Sequence, residues 1–250
     1  MLLLISPSRV MNMSHVKTSL PAEQPLFQSD AEILANEMRG LELEDMSKFM
    51  EEDDHMARET LDLYHRFKTA PSKQALFAYE GKVYKAIDPD SFSTDQLNFA
   101  ADHLRIISTL YGYLRPFDLI KEYRMNFHLH YEKGNLYDFW RPKITPLVEK
   151  DAKDSGGIIL NFSAQDVIKA VDVNKLSSQV RLIHVEFKDY KEDKKEYVTI
   201  RAYAQPAKGK LIGYIIRHNI DNPEDVKEFG CDGYTYNKSL STESEMIFTR

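Results

Sequence analysis

The sequence predicts a single mixed α+β domain over residues 1–250, with a central β-sheet and helices packed around it. Three observations carry that expectation. Short apolar, β-branched runs such as Leu2–Ile5, Leu104–Leu110 and Ile158–Leu160 alternate with longer segments whose apolar residues recur at helical spacing. No internal repeat, low-complexity tract or linker divides the chain. A length of 250 residues is enough to bury a sizeable core without disulfide or metal staples.

Leu2–Ile5 reads as a buried strand, stopped at Ser6-Pro7 because proline has no ladder N–H and restrains the residue before it. From Asp30, the spacing of Ile33, Leu34, Met38 and Leu41 predicts a helix. Gly40 punctuates it, and Leu43, Met46, Phe49 and Met50 start a second helical face. A third helix is expected from Asp53 to Phe67, ended by Pro71. Ala75–Tyr79 reads as a strand closed by Gly81. Ser93-Thr94-Asp95 can cap the orphan N–H groups of a helix reaching His103, and Leu104–Leu110 follows as a buried strand. Leu136–Glu149 is expected to be a short or broken helix, because Pro142 and Pro146 fall inside it. Gly156-Gly157 leads into the core strand Ile158–Leu160, which ends at Asn161. Val180–Tyr190 and Glu196–Ala204 alternate apolar and polar residues around a charged turn, the pattern of a β-hairpin. Pro206 then opens a helix with Leu211, Ile212, Ile215 and Ile216 as its buried stripe. Tyr234–Tyr236 and Met246–Phe248 close the chain as short strands.

The formal net charge is −6, but it is unevenly spread. Glu23–Asp62 holds 13 Asp/Glu against 3 Lys/Arg, a local −10 that leaves +4 for the remainder. The acidic stretch reads as the solvated face of surface helices. A single cysteine, Cys231, excludes an internal disulfide and a multi-cysteine metal site, and no cationic cluster surrounds it to make a redox sensor. The apolar run Met1–Ile5 is too short for a signal peptide or a membrane span, so a soluble, cytoplasmic protein is expected, with no membrane partner.

The segment His103-Leu104-Arg105-Ile106-Ile107-Ser108-Thr109-Leu110-Tyr111-Gly112-Tyr113-Leu114-Arg115-Pro116-Phe117-Asp118, continued by Tyr123-Arg124 and Leu136-Tyr137-Asp138-Phe139-Trp140, resembles the central signature of the YaaA family of peroxide-stress proteins. Ile5-Ser6-Pro7, Ile159-Leu160-Asn161 and Gly209 also fall where the family pattern puts them, and the resemblance covers nearly the whole chain. It implies survival of hydrogen peroxide through restraint of free iron, a basic groove, and a helix-hairpin-helix element linked to DNA binding. Four departures stand out. Arg9 replaces the usual lysine after the Ser-Pro-small triplet, exchanging a point charge for a planar fork. Phe162-Ser163-Ala164-Gln165-Asp166 replaces a Ser-x-Glu pattern, and the basic cluster near Lys208 is thinned. At the expected hairpin, Gly40-Leu41-Glu42 lacks the second glycine, and Glu42, Glu44 and Asp45 would repel phosphate.

The best anion-site candidates are the signature arginines. Arg115 and Arg124 read either as a bidentate phosphate site or as members of internal ion pairs with carboxylates such as Asp118 or Asp102, and Arg105 reads as an ion-pair member. Lys208 and Gly209 are expected just inside a helix start, where N–H groups and the dipole favour an anion, with Arg9 nearby if the first strand ends beside that helix. Lys210 and Arg217 read as outer-face surface charge. Tyr111, Tyr113, Tyr123, Phe139 and Trp140 read mainly as core, with stacking on bases as the alternative. His128, His130 and Glu132 alternate on one face, the donor types of a facial-triad iron site, although exposed edge-strand residues have the same pattern. Asn161 and Asp166, at the end of a core strand, are the candidates if the protein is an enzyme. No Walker or dinucleotide glycine pattern is present near Lys208, and no cofactor is expected. Three functions therefore compete: a DNA-binding stress protein without catalysis, an enzyme acting on a nucleic-acid base or nucleotide, and an iron-binding protein.

Overall fold

The structure, a computed structural model, describes residues 1–14, 22–51, 53–127, 130–131 (backbone only) and 134–250. Its first strand, β1 (Leu2–Ile5), is buried along its whole length, as a run of four aliphatic residues requires of a strand covered on both faces. Three helices follow, α1 (Gln28–Arg39), α2 (Leu43–Met50) and α3 (Asp54–His65), the last capped by Asp53 through the Met56 amide. Next come β2 (Ser72–Gln74), α4 (Ala75–Ala78), α5 (Lys82–Ile87) and α6 (Thr94–His103). Ser93 and Gln96 close a reciprocal capping box at the start of α6.

The chain then forms β3 (Leu104–Ser108), β4 (Gly112–Leu114), β5 (Leu119–Lys121), β6 (His130–Tyr131) and β7 (Gly134–Asn135). The long helix α7 (Leu136–Asp154) leads to β8 (Ile158–Asn161), α8 (Gln165–Ile168), α9 (Val173–Ser177), β9 (Arg181–Lys191) and β10 (Glu196–Val198). The chain ends with α10 (Arg201–Arg217), α11 (Pro223–Val226), β11 (Gly230–Cys231), β12 (Tyr234–Tyr236) and β13 (Glu245–Thr249).

The expected single mixed α+β domain is what forms. The main sheet runs β11-β12-β13-β9-β8-β1-β3-β4, with β10 paired to β9. Its five central strands, β13, β9, β8, β1 and β3, are mutually parallel, and antiparallel strands close both edges. From β1 the chain reaches β3 on one side and later enters β8 on the other. The strand order thus reverses at β1, and at such a switch point the loops after adjacent strands diverge to open a crevice beyond their carboxyl ends.

Several local expectations are corrected. Ala75–Ala78 is one helical turn, where a strand was expected; all four residues are buried, so no period distinguishes strand from helix there. The strand is the preceding Ser72–Gln74, paired with β5. Pro142 and Pro146 do not break α7, because each removes only one backbone bond while Trp140, Ile144, Val148 and Ala152 are fully buried along it. Trp140 donates from Nε1 to the Thr109 carbonyl at 2.8 Å, and its ring covers Gly112, whose φ of +67° and lack of a Cβ allow the contact. The hairpin of β9 and β10 is present, but its second strand stops at Val198 and the chain becomes helical at Arg201. Pro206 lies inside α10, which begins five residues earlier. The buried stripe of that helix, Ala204, Ala207, Leu211, Ile212, Ile215 and Ile216, holds it together through the lost bond.

Candidate functional site

A cleft of about 1320 Å³ opens at the switch point. Its walls include Ile5 at the end of β1 and residues 6–10 after it, Thr109 after β3, and Phe162 and Ala164 after β8. The two loops at its base are tied together: Phe162 N donates to the Leu4 carbonyl at 2.8 Å and Ala164 N to Ser6 Oγ at 2.9 Å. Tyrosines form part of the floor. Tyr84 Oη donates to the Ser6 carbonyl, and the Tyr123 hydroxyl is bonded to Ser108 and Tyr79. Burial pushes both phenols up, so they stay protonated and act as fixed dipoles.

The walls are basic although the chain is acidic. Seven Lys/Arg side chains line the cleft, Arg9, Lys82, Arg124, Lys169, Lys188, Arg201 and Lys208, against two carboxylates, Asp166 and Glu186. Lys208 pairs with Glu186 at 3.3 Å and Arg124 with Glu59 at 3.0 Å, while Arg9 donates to Asn126 Oδ1 at 2.9 Å. Among the described residues, no carboxylate lies within ion-pair distance of Lys82, Lys169, Lys188 or Arg201. An array of unneutralised cations around a concave, partly apolar wall attracts polyanions and repels cations.

The candidates from sequence divide accordingly. Arg9, Arg124, Lys208 and Asp166 come together in this cleft. Arg115 lies outside it: its guanidinium bridges Glu23 at 2.6 Å and Asp118 at 3.0 Å, the internal ion-pair alternative. Asp118 is fully buried, and burial raises its pKa against the opposing pull of Arg115. Arg105 is an ion-pair member, as expected, with Asp151 at 2.7 Å and two backbone carbonyls. Lys208 and Gly209 sit in the middle of α10, so the free N–H groups of a helix start are not at that position. Gly209 is there for packing: a Cβ would strike the Val83 carbonyl oxygen and come within 2.7 Å of Ala86 Cβ on α5. Lys210 is outer-face charge paired with Asp232, but Arg217 is engaged, bonding to Ile87 and Ser91 and stacking on Phe92. Asn161 is a structural turn residue. Its Oδ1 accepts from Ser163 N and its Nδ2 donates to His184 Nδ1 at 2.9 Å, leaving the amide engaged on both sides. Burial lowers the His184 pKa, which keeps the ring neutral as that bond requires.

His128 and Glu132 lie outside the described residues, as does the side chain of His130. Among the described residues no group of His, Cys, Asp and Glu is placed to hold a metal ion. Burial pushes the Cys231 thiol up, away from thiolate chemistry. No helix among the described residues is long and apolar enough to cross a membrane. Of α1, α2 and α3, only Met50 and Met56 line the cleft, so the helix turn at Gly40, between α1 and α2, contributes no cation to it.

The chain matches the family profile described as peroxide stress protein YaaA over residues 1–240. It belongs to the YaaA family of peroxide-stress proteins. Full-length relatives agree. A UPF0246 protein of Clostridium botulinum is 32% identical over 100% of this chain and 99% of its own. One from Parabacteroides distasonis is 32% identical over 99% of both chains, and one from Neisseria gonorrhoeae 34% identical over 100% of this chain and 98% of its own. Within this YaaA-family fold, sequence reasoning missed Lys82, Lys169, Lys188 and Arg201. Two of them carried a readable signal: Lys188 alternates with the apolar Val185 and Phe187 on β9, and Arg201 lies seven residues before Lys208 on one helix face.

Proposed function

We propose that this YaaA-family protein binds DNA in the switch-point cleft and so limits peroxide damage linked to intracellular iron. The observation that carries the proposal is the excess of basic over acidic side chains in the cleft of a chain whose net charge is −6. Phosphates would be met by Lys82, Lys169, Lys188 and Arg201, with Arg9 and Arg124 adding planar, fork-shaped donors. Four unpaired cations predict a salt dependence of log K against log[salt] of about −3 to −4. Titrating a labelled DNA oligonucleotide at several salt concentrations tests this. A salt-insensitive signal, or no binding at low salt, removes the reading.

A second reading, an enzyme acting on a nucleic-acid base or nucleotide, is favoured by the position of the cleft at a strand-order reversal and by Asp166 in its wall. Asp166 would be its acid or base, since the amide of Asn161 is already engaged. Turnover of a modified nucleoside by the purified protein would favour this reading over simple binding.

A further inference from the structure

Strand β9 outruns its neighbour. Its register with β8 ends at the pair Asn161 and His184, yet it continues for seven more residues, to Lys191, and there pairs with β10. Burial alternates along this extension. Val185, Phe187 and Asp189 are buried on one face, whereas Glu186 and Lys188 are half-buried and Tyr190 exposed on the other. Glu186 and Lys188 line the cleft, so Tyr190 stands on the cleft face, one side-chain repeat beyond Lys188. Tyr197 is its register partner across the hairpin and lies two residues before Thr199, another cleft-lining residue. The two rings therefore continue the cleft wall outward.

They remain open to solvent, Tyr190 at 42% and Tyr197 at 39% exposure, with centroids 5.2 Å apart and planes inclined by 61°. Neither belongs to the hydrophobic core. Lys188 and Arg201 flank this wall with charges that no described carboxylate neutralises. Aromatic faces beside cations suit a strand that offers both phosphates and exposed base faces. A regular duplex offers only the phosphates there, because its bases are stacked on one another.

We infer that Tyr190 and Tyr197 form a base-stacking platform at the mouth of the cleft, and that the cleft prefers single-stranded DNA, with its unpaired bases, to regular duplex. The inference rests on the DNA-binding reading above and names the form of DNA that the same site takes. Lys188 and Arg201 hold the backbone while the rings take a base.

The test is fluorescence anisotropy with a labelled single-stranded DNA oligonucleotide and with the duplex made from it. Tighter binding of the single strand is expected for the unaltered protein. Tyr190→Ala and Tyr197→Ala should each weaken single-strand binding by about fivefold to a hundredfold, and duplex binding by less than about twofold. Tyr190→Phe and Tyr197→Phe keep the rings and should restore the preference. As a measurement that needs no variant, photo-cross-linking a bromodeoxyuridine-substituted single strand to the unaltered protein should label Tyr190 or Tyr197. Equal losses on both DNA forms, no loss on either, or a preference for duplex would overturn the platform while leaving the cleft reading intact. Failure of the unaltered protein to bind either form would overturn both.

Discussion

Gly209→Ala tests whether the middle of α10 is a packing contact or an anion-binding position. Alanine is the better helix former by about 1 kcal/mol, so on an open helix the substitution would stabilise. Here the added Cβ would lie 2.7 Å from Ala86 Cβ and 3.0 Å from the Val83 carbonyl carbon, closer still to its oxygen. Carbon atoms pack best at about 3.5–4.0 Å, so α10 and α5 must part by about 1 Å, and the obstacle is backbone that cannot rotate away. Overpacking of this kind costs about 1–3 kcal/mol, and its upper end applies when a helix axis has to move. After the propensity gain, a net loss of about 2 kcal/mol is expected, a fall in melting temperature of about 4–8 °C for a chain of this size. Thermal melts followed by circular dichroism read it directly. Gly40→Ala is the matched control, because its Cβ would meet nothing nearer than the Glu37 carbonyl oxygen at 3.5 Å and its φ is an ordinary −84°. An unchanged or raised melting temperature for Gly209→Ala would refute the close approach of the two helices.

Two further outcomes follow from buried charge. Arg115→Ala should cost about 1–3 kcal/mol, less than the 3–5 of a fully buried pair, because Arg115 is 44% exposed and its backbone N–H still donates to Asp118. DNA binding should be unchanged, since Arg115 does not line the cleft; a folded, equally stable variant with weakened binding would return it to the anion site. His103 and His184 both have pKa values lowered from 6.5, chiefly by burial. Their stabilising effect is complete above 6.5 and is lost as pH falls toward the depressed folded values, because the unfolded chain takes up the protons first. Melts from about pH 7.5 down to 5 should show this slope; Asp118, whose pKa burial raises, acts in the opposite sense as it takes up its proton. His184→Gln should flatten the slope; a slope unchanged by that substitution would mean that His184 is not held neutral.

Much of the frame was legible along the chain because local rules and tertiary packing agree there. The aliphatic runs of β1 and β8, the capping box at Ser93 and the helix pair around Gly40 each carry their own signal. Legibility failed where packing overrides local preference. Pro206 reads as a helix start until the buried stripe of α10 is seen to continue on both sides of it, and Ala75–Ala78 is apolar on every face. The site was legible only in part for a different reason. Its cations come from the segments after β1, β5 and α8 and from α5, β9 and α10, scattered from Arg9 to Lys208, and only the reversal of strand order at β1 gathers them. Arg9 and Lys208 were visible through resemblance. Lys188 became meaningful once β9 was seen to extend past β8 along the cleft.

The most direct test of the cleft is the salt slope of DNA binding in matched charge-removal variants. Lys188→Ala with Arg201→Ala removes two unpaired cleft cations, whereas Lys150→Ala with Lys210→Ala removes two exposed cations that do not line the cleft. If phosphates lie in the cleft, the first pair should reduce the magnitude of the slope by about two and the second should leave it unchanged. Equal changes from both pairs would mean that diffuse surface charge is responsible, and a slope that only the second pair alters would place the DNA outside the cleft.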